Sequence, residues 1–260
     1  HPLKKGAIME AGVKSGYVKN DNDAQYSYFE GGGYILDEGR SNHFIYEENV
    51  NAAYVNYSKQ FDKWGIQLGM RMENTNIKGN QVTQKIKFDT SYVQLFPTSY
   101  LSYALNKTNT FTLSYSRRIE RPSYQDMNPF QFFLDQYTYR QGNPYLRPQS
   151  SNNIELSYNY KGQLNVSANY TKTKDVINDI LKQDDATFIT FQTKENVAAR
   201  RNIGLSINYN KALKKWWTVS MFGNLFNNYF EGVVNNAKLS VDVTTYFVNM
   251  SNQFRFNKGW

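Results

Sequence analysis

Apolar and small polar residues take turns along most of this chain. Over residues 6–18, Met9, Ala11, Val13 and Tyr17 fall on one side of an extended backbone, and Glu10, Gly12, Lys14 and Gly16 fall on the other. The clearest case starts at Trp64, where Ile66, Leu68, Met70 and Met72 oppose Gly65, Gln67, Gly69, Arg71 and Glu73. A period of two marks a strand and excludes a helix. The same pattern predicts strands over 44–60, 95–105, 110–116, 153–160, 164–182, 188–209, 217–225 and 238–256. Short turns are expected at FDKW (61–64), NKTN (106–109), KGQ (161–163) and KALKK (211–215). Polar stretches over 19–43 and 74–91 read as long excursions, a turn is expected near Asp184 and Asp185, and 198–201 reads as irregular. The total is about ten strands, joined by alternately short and long connections.

Residues 116–149, SRRIERPSYQDMNPFQFFLDQYTYRQGNPYLRPQ, interrupt the alternation. Pro122, Pro129, Pro144 and Pro148 each remove a backbone donor and restrict the residue before them, so no regular ladder runs through this stretch. It reads as a long loop thrown out from a sheet, at its outer rim. Asn128 before Pro129, and Gly142 with Asn143 before Pro144, are turn punctuation.

Composition narrows the fold class. The chain has 21 Tyr, 17 Phe and 4 Trp. Such aromatic richness among Asn, Ser, Thr and Gln suits strands with one apolar and one polar face. The mean hydropathy is −0.68. With no run of about 18 apolar residues, a membrane-spanning helix is excluded, whereas a transmembrane barrel, whose strands hide every second residue, is not. Strands of more than a dozen residues and long connections favour such a barrel over a secreted β-sandwich binding module, whose turns recur every 8–12 residues or so. The polar face is rich in Gly, Ser, Thr, Asn and Gln, too small to fill a narrow ten-stranded interior, which implies an arc of a wider wall. Trp64, Trp216, Trp217 and Trp260 all fall at the short-turn end, where an interfacial girdle belongs.

Several kinds of chemistry are excluded or weakly supported. The formal charge of +8 is spread along the chain without a basic stripe, so no nucleic-acid partner is expected. There is no cysteine, hence neither a disulfide framework nor a thiolate metal site. A hydrolase would have to rest on His43 in a polar loop, so no enzyme and no catalytic residue is expected. Asp21 with Asp23, and Asp184 with Asp185, lack any calcium-loop pattern, and no metal or cofactor is assigned. The sequons at Asn56 and Asn169 lie within strands. The chain begins at His1 without a signal sequence and reads as a fragment.

YSRRIERPSYQDMNPF, YTYRQGNPYLRPQ and NIELSYNYK resemble the signature of the outer-membrane β-barrel family of TonB-dependent receptors of the Bacteroidetes type. FIYEENVNAAYVNYSKQF, WGIQLGMRMENT, LFPTSYLSYAL, TKDVI and KKWWTVSM are similar to the same family in the same order, so the resemblance covers nearly the whole chain. It implies an all-β antiparallel barrel segment, residues 1–260, from a wall of roughly 22 strands whose plug and remaining strands lie elsewhere. It also implies a bacterial outer-membrane location, contact with membrane lipid and lipopolysaccharide, and uptake of an unidentified bulky solute driven by a TonB-type coupling protein. A structural or adhesive barrel without transport is the alternative.

Within the loop, Arg117, Arg118 and Arg121 stand close together, with Arg147 near the far end. The first three are expected to pair with Glu120, Asp126 and Glu155 or with lipopolysaccharide phosphates. Bracing the loop is the simpler of their two roles, because its backbone must be satisfied somewhere.

Overall fold

The period-two stretches become one antiparallel sheet. The computed structural model describes residues 6–135, 137–184, 188–234 and 237–256. In chain order its elements are β1 (Ala7–Ala24), β2 (Ser27–Glu30), β3 (Gly33–Leu36), β4 (Asn42–Gln60), β5 (Trp64–Gln81), β6 (Ile86–Asn106), β7 (Asn109–Glu120), α1 (Tyr124–Met127), β8 (Gln131–Phe133), β9 (Thr138–Gln141), β10 (Gln149–Tyr160), β11 (Leu164–Asp184), β12 (Ile189–Lys214), β13 (Trp217–Val234) and β14 (Ala237–Phe254). Ten strands lie in the order β1-β4-β5-β6-β7-β10-β11-β12-β13-β14, with β1 and β14 at the edges. β2 and β3 form a separate hairpin, and β9 lies parallel to β12.

Register fixes which side chains share a face, because paired residues point the same way. Met127 of α1 packs on Phe44 and Tyr46 of β4 and on Ile77 of β5, which defines the inner face. The other face carries Ala53, Val55 and Tyr57 beside Met72, Met70 and Leu68, with Leu95 and Leu101 on β6. This outer apolar band continues through Leu113, Leu156, Ala168 and Leu205.

The strands outrun that band, and in doing so they reverse polarity. At the short-turn end of β5 the outer residues are Ile66, Leu68 and Met70, opposite Gly65, Gln67 and Gly69. Beyond Glu73 the outer residues become Asn74, Asn76 and Lys78, while Thr75 and Ile77 on the inner face are buried. The partners follow, since Phe88, Tyr92 and Phe96 of β6 face inward while Lys87, Asp89 and Ser91 face outward. An alternation that changes phase cancels its own signal. For that reason 74–91 looks like a polar excursion, yet it is the continuation of the β5–β6 hairpin, closed by a turn at 82–85.

Other boundaries shift for related reasons. β1 runs to Ala24 because β4 offers it partners as far as Asn42. Within 25–41 sits the β2–β3 hairpin, whose turn residues Gly31 and Gly32 both have positive φ. β12 stays in the sheet through 198–201, with register shifts on both sides of Val176: Asp175 (φ 56°) is part of a bulge on β11 between Thr173 and Val176, and Val197 is the extra residue on β12 opposite the Val176–Ile177 step. β11 extends through Asp184, while Asp185 lies outside the described residues. β12 likewise runs to Lys214, through most of the expected turn at KALKK. The connections therefore do not simply alternate short and long: 82–85 is as brief as the turns at the opposite end.

The proline-rich stretch begins later than the sequence suggests. β7 continues to Glu120 and β10 begins at Gln149, so the irregular segment is 121–148, holding α1, β8 and β9. It does not project from the rim. It folds inward over β6, β5 and β4 and touches β12 on the other side, six steps along the sheet order. Those six steps correspond to roughly 29 Å of wall.

Met127 is 1% exposed and is the loop's apolar plug into this cluster. Met127→Ala should cost about 2–5 kcal/mol, seen as a lower thermal unfolding midpoint of the intact protein and faster proteolysis within 121–148.

Candidate functional site

The inward segment is held at both ends by charged groups that the wall supplies. On one side Arg121 Nη2 donates to Glu73 Oε2 at 2.5 Å and to Thr75 Oγ1 at 3.2 Å. Arg71 Nε approaches the other Glu73 oxygen at 3.1 Å, and its guanidinium lies 4.8 Å from the centre of the Phe96 ring. Glu73 is thus a nearly buried carboxylate clasped by two guanidiniums. On the other side Lys194 Nζ of β12 meets Asp126 Oδ1 at 2.9 Å. Arg147 pairs with Asp175 at 2.7 Å. Asn196 accepts from the Arg147 backbone N–H and donates to the Arg147 and Asp175 carbonyls, each at 2.8 Å.

Local chemistry shapes the segment between these anchors. Ser123 caps α1, accepting from Asp126 N while Asp126 Oδ2 accepts from Ser123 N, a reciprocal capping box. Asn128 Oδ1 accepts from Phe130 N, and Asn143 Oδ1 accepts from Tyr145 N, the local turns expected before proline. Asn143 Nδ2 also donates to the Lys194 carbonyl at 3.0 Å. Gly142 donates to the Asn128 carbonyl at 2.9 Å, and a Cβ at Gly142 would sit 2.3 Å from that oxygen. Only glycine permits this approach. Burial would raise the Asp126 carboxyl, but hydrogen bonds from Lys194 and Ser123 outweigh it and hold the group below the usual carboxylate range.

Two recesses open here, the first lined by wall strands alone and the second bordered by the segment. One, of about 660 Å³, has a polar lining that includes Glu10, Asn56, Gln67, Thr98, Arg118 and Glu155. Among the described residues, Glu10, Arg118 and Glu155 form no ion pair. The other, of about 1040 Å³, opens between the 25–41 connection and 130–135, lined by Tyr26, Arg40, Phe130, Phe132 and Phe133 among others. Charged and hydrogen-bonding groups on one side and aromatic surface on the other suit a bulky, partly polar ligand.

The arginines expected to act together are separated. Arg117 and Arg118 lie on β7, not in the loop, and face opposite sides of the sheet: Arg117 outward beside Asn152, Arg118 inward beside Ser151. Only Arg121 braces, and its partner is Glu73. Of the expected carboxylates, Asp126 pairs with Lys194 and Glu120 accepts from Gln149 Nε2, while Glu155 forms no ion pair among the described residues. Pro122 and Pro129 are buried, while Pro144 and Pro148 are half-buried. Trp64 packs on Tyr103 with ring centres 4.4 Å apart. Trp216 and Trp217 stack on each other and on Phe254. Trp260 lies outside the described residues. His43 sits in β4, not a loop, with Nε2 2.9 Å from Asp21. Among the described residues no three His, Asp or Glu side chains converge as metal ligands.

Glu73, Lys194 and Asn196 escaped the sequence reading because each meets a partner about fifty residues away. Glu73 stands in a strand's polar column like any other, and nothing local marks it as buried.

The family model of the outer membrane protein beta-barrel family matches residues 1–260. Among solved structures, the chain is similar to the siderophore receptor PiuA from Acinetobacter baumannii, with 11% identity over 90% of this chain and 38% of that one, TM-score 0.57. It is similar to the hemophore receptor HasR of Serratia marcescens, with 12% identity over 92% of this chain and 52% of that one, TM-score 0.59. It also resembles the FrpB iron transporter from Neisseria meningitidis, with 9% identity over 92% of this chain and 39% of that one, TM-score 0.55. The chain thus spans 38–52% of the length of these structures. No curated protein matches it in sequence.

Glu73→Gln should weaken the Arg121 clasp by about 2–3 kcal/mol, with the thermal midpoint falling and hydrogen exchange rising in 121–148. Asp126 has a lowered folded-state pKa, so its contribution is complete above the unfolded value near pH 4 and fades as pH falls through the folded value. Asp126→Asn should therefore lower the thermal midpoint at neutral pH and lose that difference on acidification into the carboxylate range.

Proposed function

The chain belongs to the outer membrane protein beta-barrel family, and on that premise we propose that it forms part of the wall of an energy-coupled receptor that imports a bulky solute across the bacterial outer membrane. The observation that carries this reading is the inward segment 121–148. It crosses the inner face and borders a recess lined by aromatic rings, while the wall strands line a second recess that carries the unpaired Glu10, Arg118 and Glu155. A barrel serving only as scaffold has no need of charged groups held without partners.

In this proposal residues 1–260 are one portion of a barrel domain. β1 and β14 would be paired by further strands, since an unpaired edge in a membrane leaves backbone groups unsatisfied. A plug would fill the inner face, and a TonB-type protein would act through that plug. The structures compared above are receptors or transporters for a siderophore, a hemophore with heme, and iron. Glycan fragments, iron chelates and peptides are the candidate solutes. The role is one of binding and passage, not catalysis.

Two experiments bear on this. A strain lacking the full-length gene is grown with ferric chelates as sole iron, glycan fragments as sole carbon or peptides as sole nitrogen. Growth should fail on one class, and loss of the coupling protein should reproduce the defect. Normal growth on all three would favour a structural or adhesive barrel. In the full-length receptor, Arg118→Glu should reduce uptake roughly tenfold or more while surface abundance stays normal. Unchanged uptake would remove Arg118 from the solute path.

A further inference from the structure

The outer face of β7–β12 carries a feature that solute passage does not use. Register places Arg117 beside Asn152, Asn152 beside Lys172, and Lys172 beside Arg201, in one row across four strands. The row directly beneath it is Tyr115, Ile154, Tyr170 and Ile203, the last apolar row that all four strands share, with Ile119 of β7 lying one step above the cations. The cations therefore stand one step, roughly 6–7 Å along the strand, beyond the apolar surface. They lie on the side away from the short turns, which in outer-membrane barrels is the extracellular side.

These charges have few protein partners. Among the described residues Arg117, Lys172 and the neighbouring Lys174 form no ion pair, and the Arg117 Nε is buried without a hydrogen-bond acceptor. Arg201 has only a long contact of 3.9 Å with exposed Glu231, and its guanidinium lies 4.4 Å from the centre of the Tyr229 ring. Tyr115 Oη donates upward to Asn152 at 2.9 Å, which holds the amide within the row. The arc formed by β4–β6 differs. Just beyond its own apolar band lie Asn49, Asn51, Asn74, Asn76 and Ser91, neutral groups that bond one another. At the level just above the apolar band, the cations therefore stand in the β7–β12 sector, and the cations of β5–β6, Lys78 and Lys87, lie further out beside Asp89.

We infer that Arg117, Asn152, Lys172 and Arg201 form a site for the phosphate group of an outer-leaflet lipid, with its acyl chains lying on Tyr115, Ile154, Tyr170 and Ile203 below. Lys172 and Arg201 are direct neighbours on adjacent strands, and Arg117 lies two strand spacings, roughly 10 Å, from Lys172. Guanidinium and ammonium donors at this spacing suit a doubly charged phosphomonoester. The inference rests on the membrane placement of the wall and is independent of transport, so loss of one leaves the other standing.

The test uses the full-length receptor extracted in mild detergent from its own outer membrane, with retained phosphorylated lipid quantified by mass spectrometry. The triple variant R117Q/K172Q/R201Q should retain roughly tenfold less than wild type. K59Q/K107Q/K211Q, which removes equal charge at the short-turn end, should retain the wild-type amount. Equal retention by both variants overturns the proposal. Should the first variant not fold, as judged by heat-modifiable migration, wild-type receptor in nanodiscs is compared on phosphorylated and enzymatically dephosphorylated lipid. A preference below twofold then overturns it. Displacement of the lipid by inorganic phosphate would show a free-anion site and likewise overturns it.

Discussion

Residues 121–148 contain four prolines and too little regular structure to satisfy their own backbone, and much of the inner wall is arranged to meet that need. β12 lends a short parallel ladder to β9. Asn196 serves the backbone of Arg147, and the Lys194 carbonyl takes the amide of Asn143. The segment also stitches itself at one point, where Gly142 and Asn143 donate to the carbonyls of Asn128 and Asp126. The backbone partners that the wall supplies all lie on β12, whereas Arg121 and Met127 seat on β5 and β4, so the segment links strands six steps apart in the sheet.

The charged anchors work under unequal conditions. Glu73, with its side chain 11% exposed, depends on Arg121 and Arg71 together, since a buried carboxylate with one guanidinium removed keeps most of its desolvation cost. Arg147 with Asp175 is largely exposed and contributes mainly geometry. The stability of the inward fold therefore rests on the β5 side, together with the apolar seat of Met127. On the β12 side the part-buried pair of Asp126 and Lys194 adds to it.

The sequence was legible wherever one face meets lipid and the other water. In the span from Trp64 to Glu73 the period-two signal is unbroken, and the strand is there. Above that level the outer surface turns polar and the inner surface becomes the apolar seat of the loop. Residues 74–91 then carry the same alternation in opposite phase and read as a loop. The arginines show a second limit. Proximity in sequence suggested that Arg117, Arg118 and Arg121 act together, but strand alternation sends the first two to opposite faces, and only the third, past the strand's end, turns onto Glu73. The carboxylate that matters was visible only as one polar residue in a column of such residues. Turn punctuation at Asn128, Gly142 and Asn143 was readable because its causes are local.

The inward course of residues 121–148 has a mechanical side. Anchored on β4 and β5 at one end and on β11 and β12 at the other, the segment is a tie-rod of fixed contour length strung across the hollow of the wall. The β4-to-β12 sector cannot spread beyond what that length allows without first pulling Arg121 off Glu73 or Asp126 off Lys194. The aperture over this arc is therefore set by a count of residues, and lengthening or shortening the segment would change its calibre in steps.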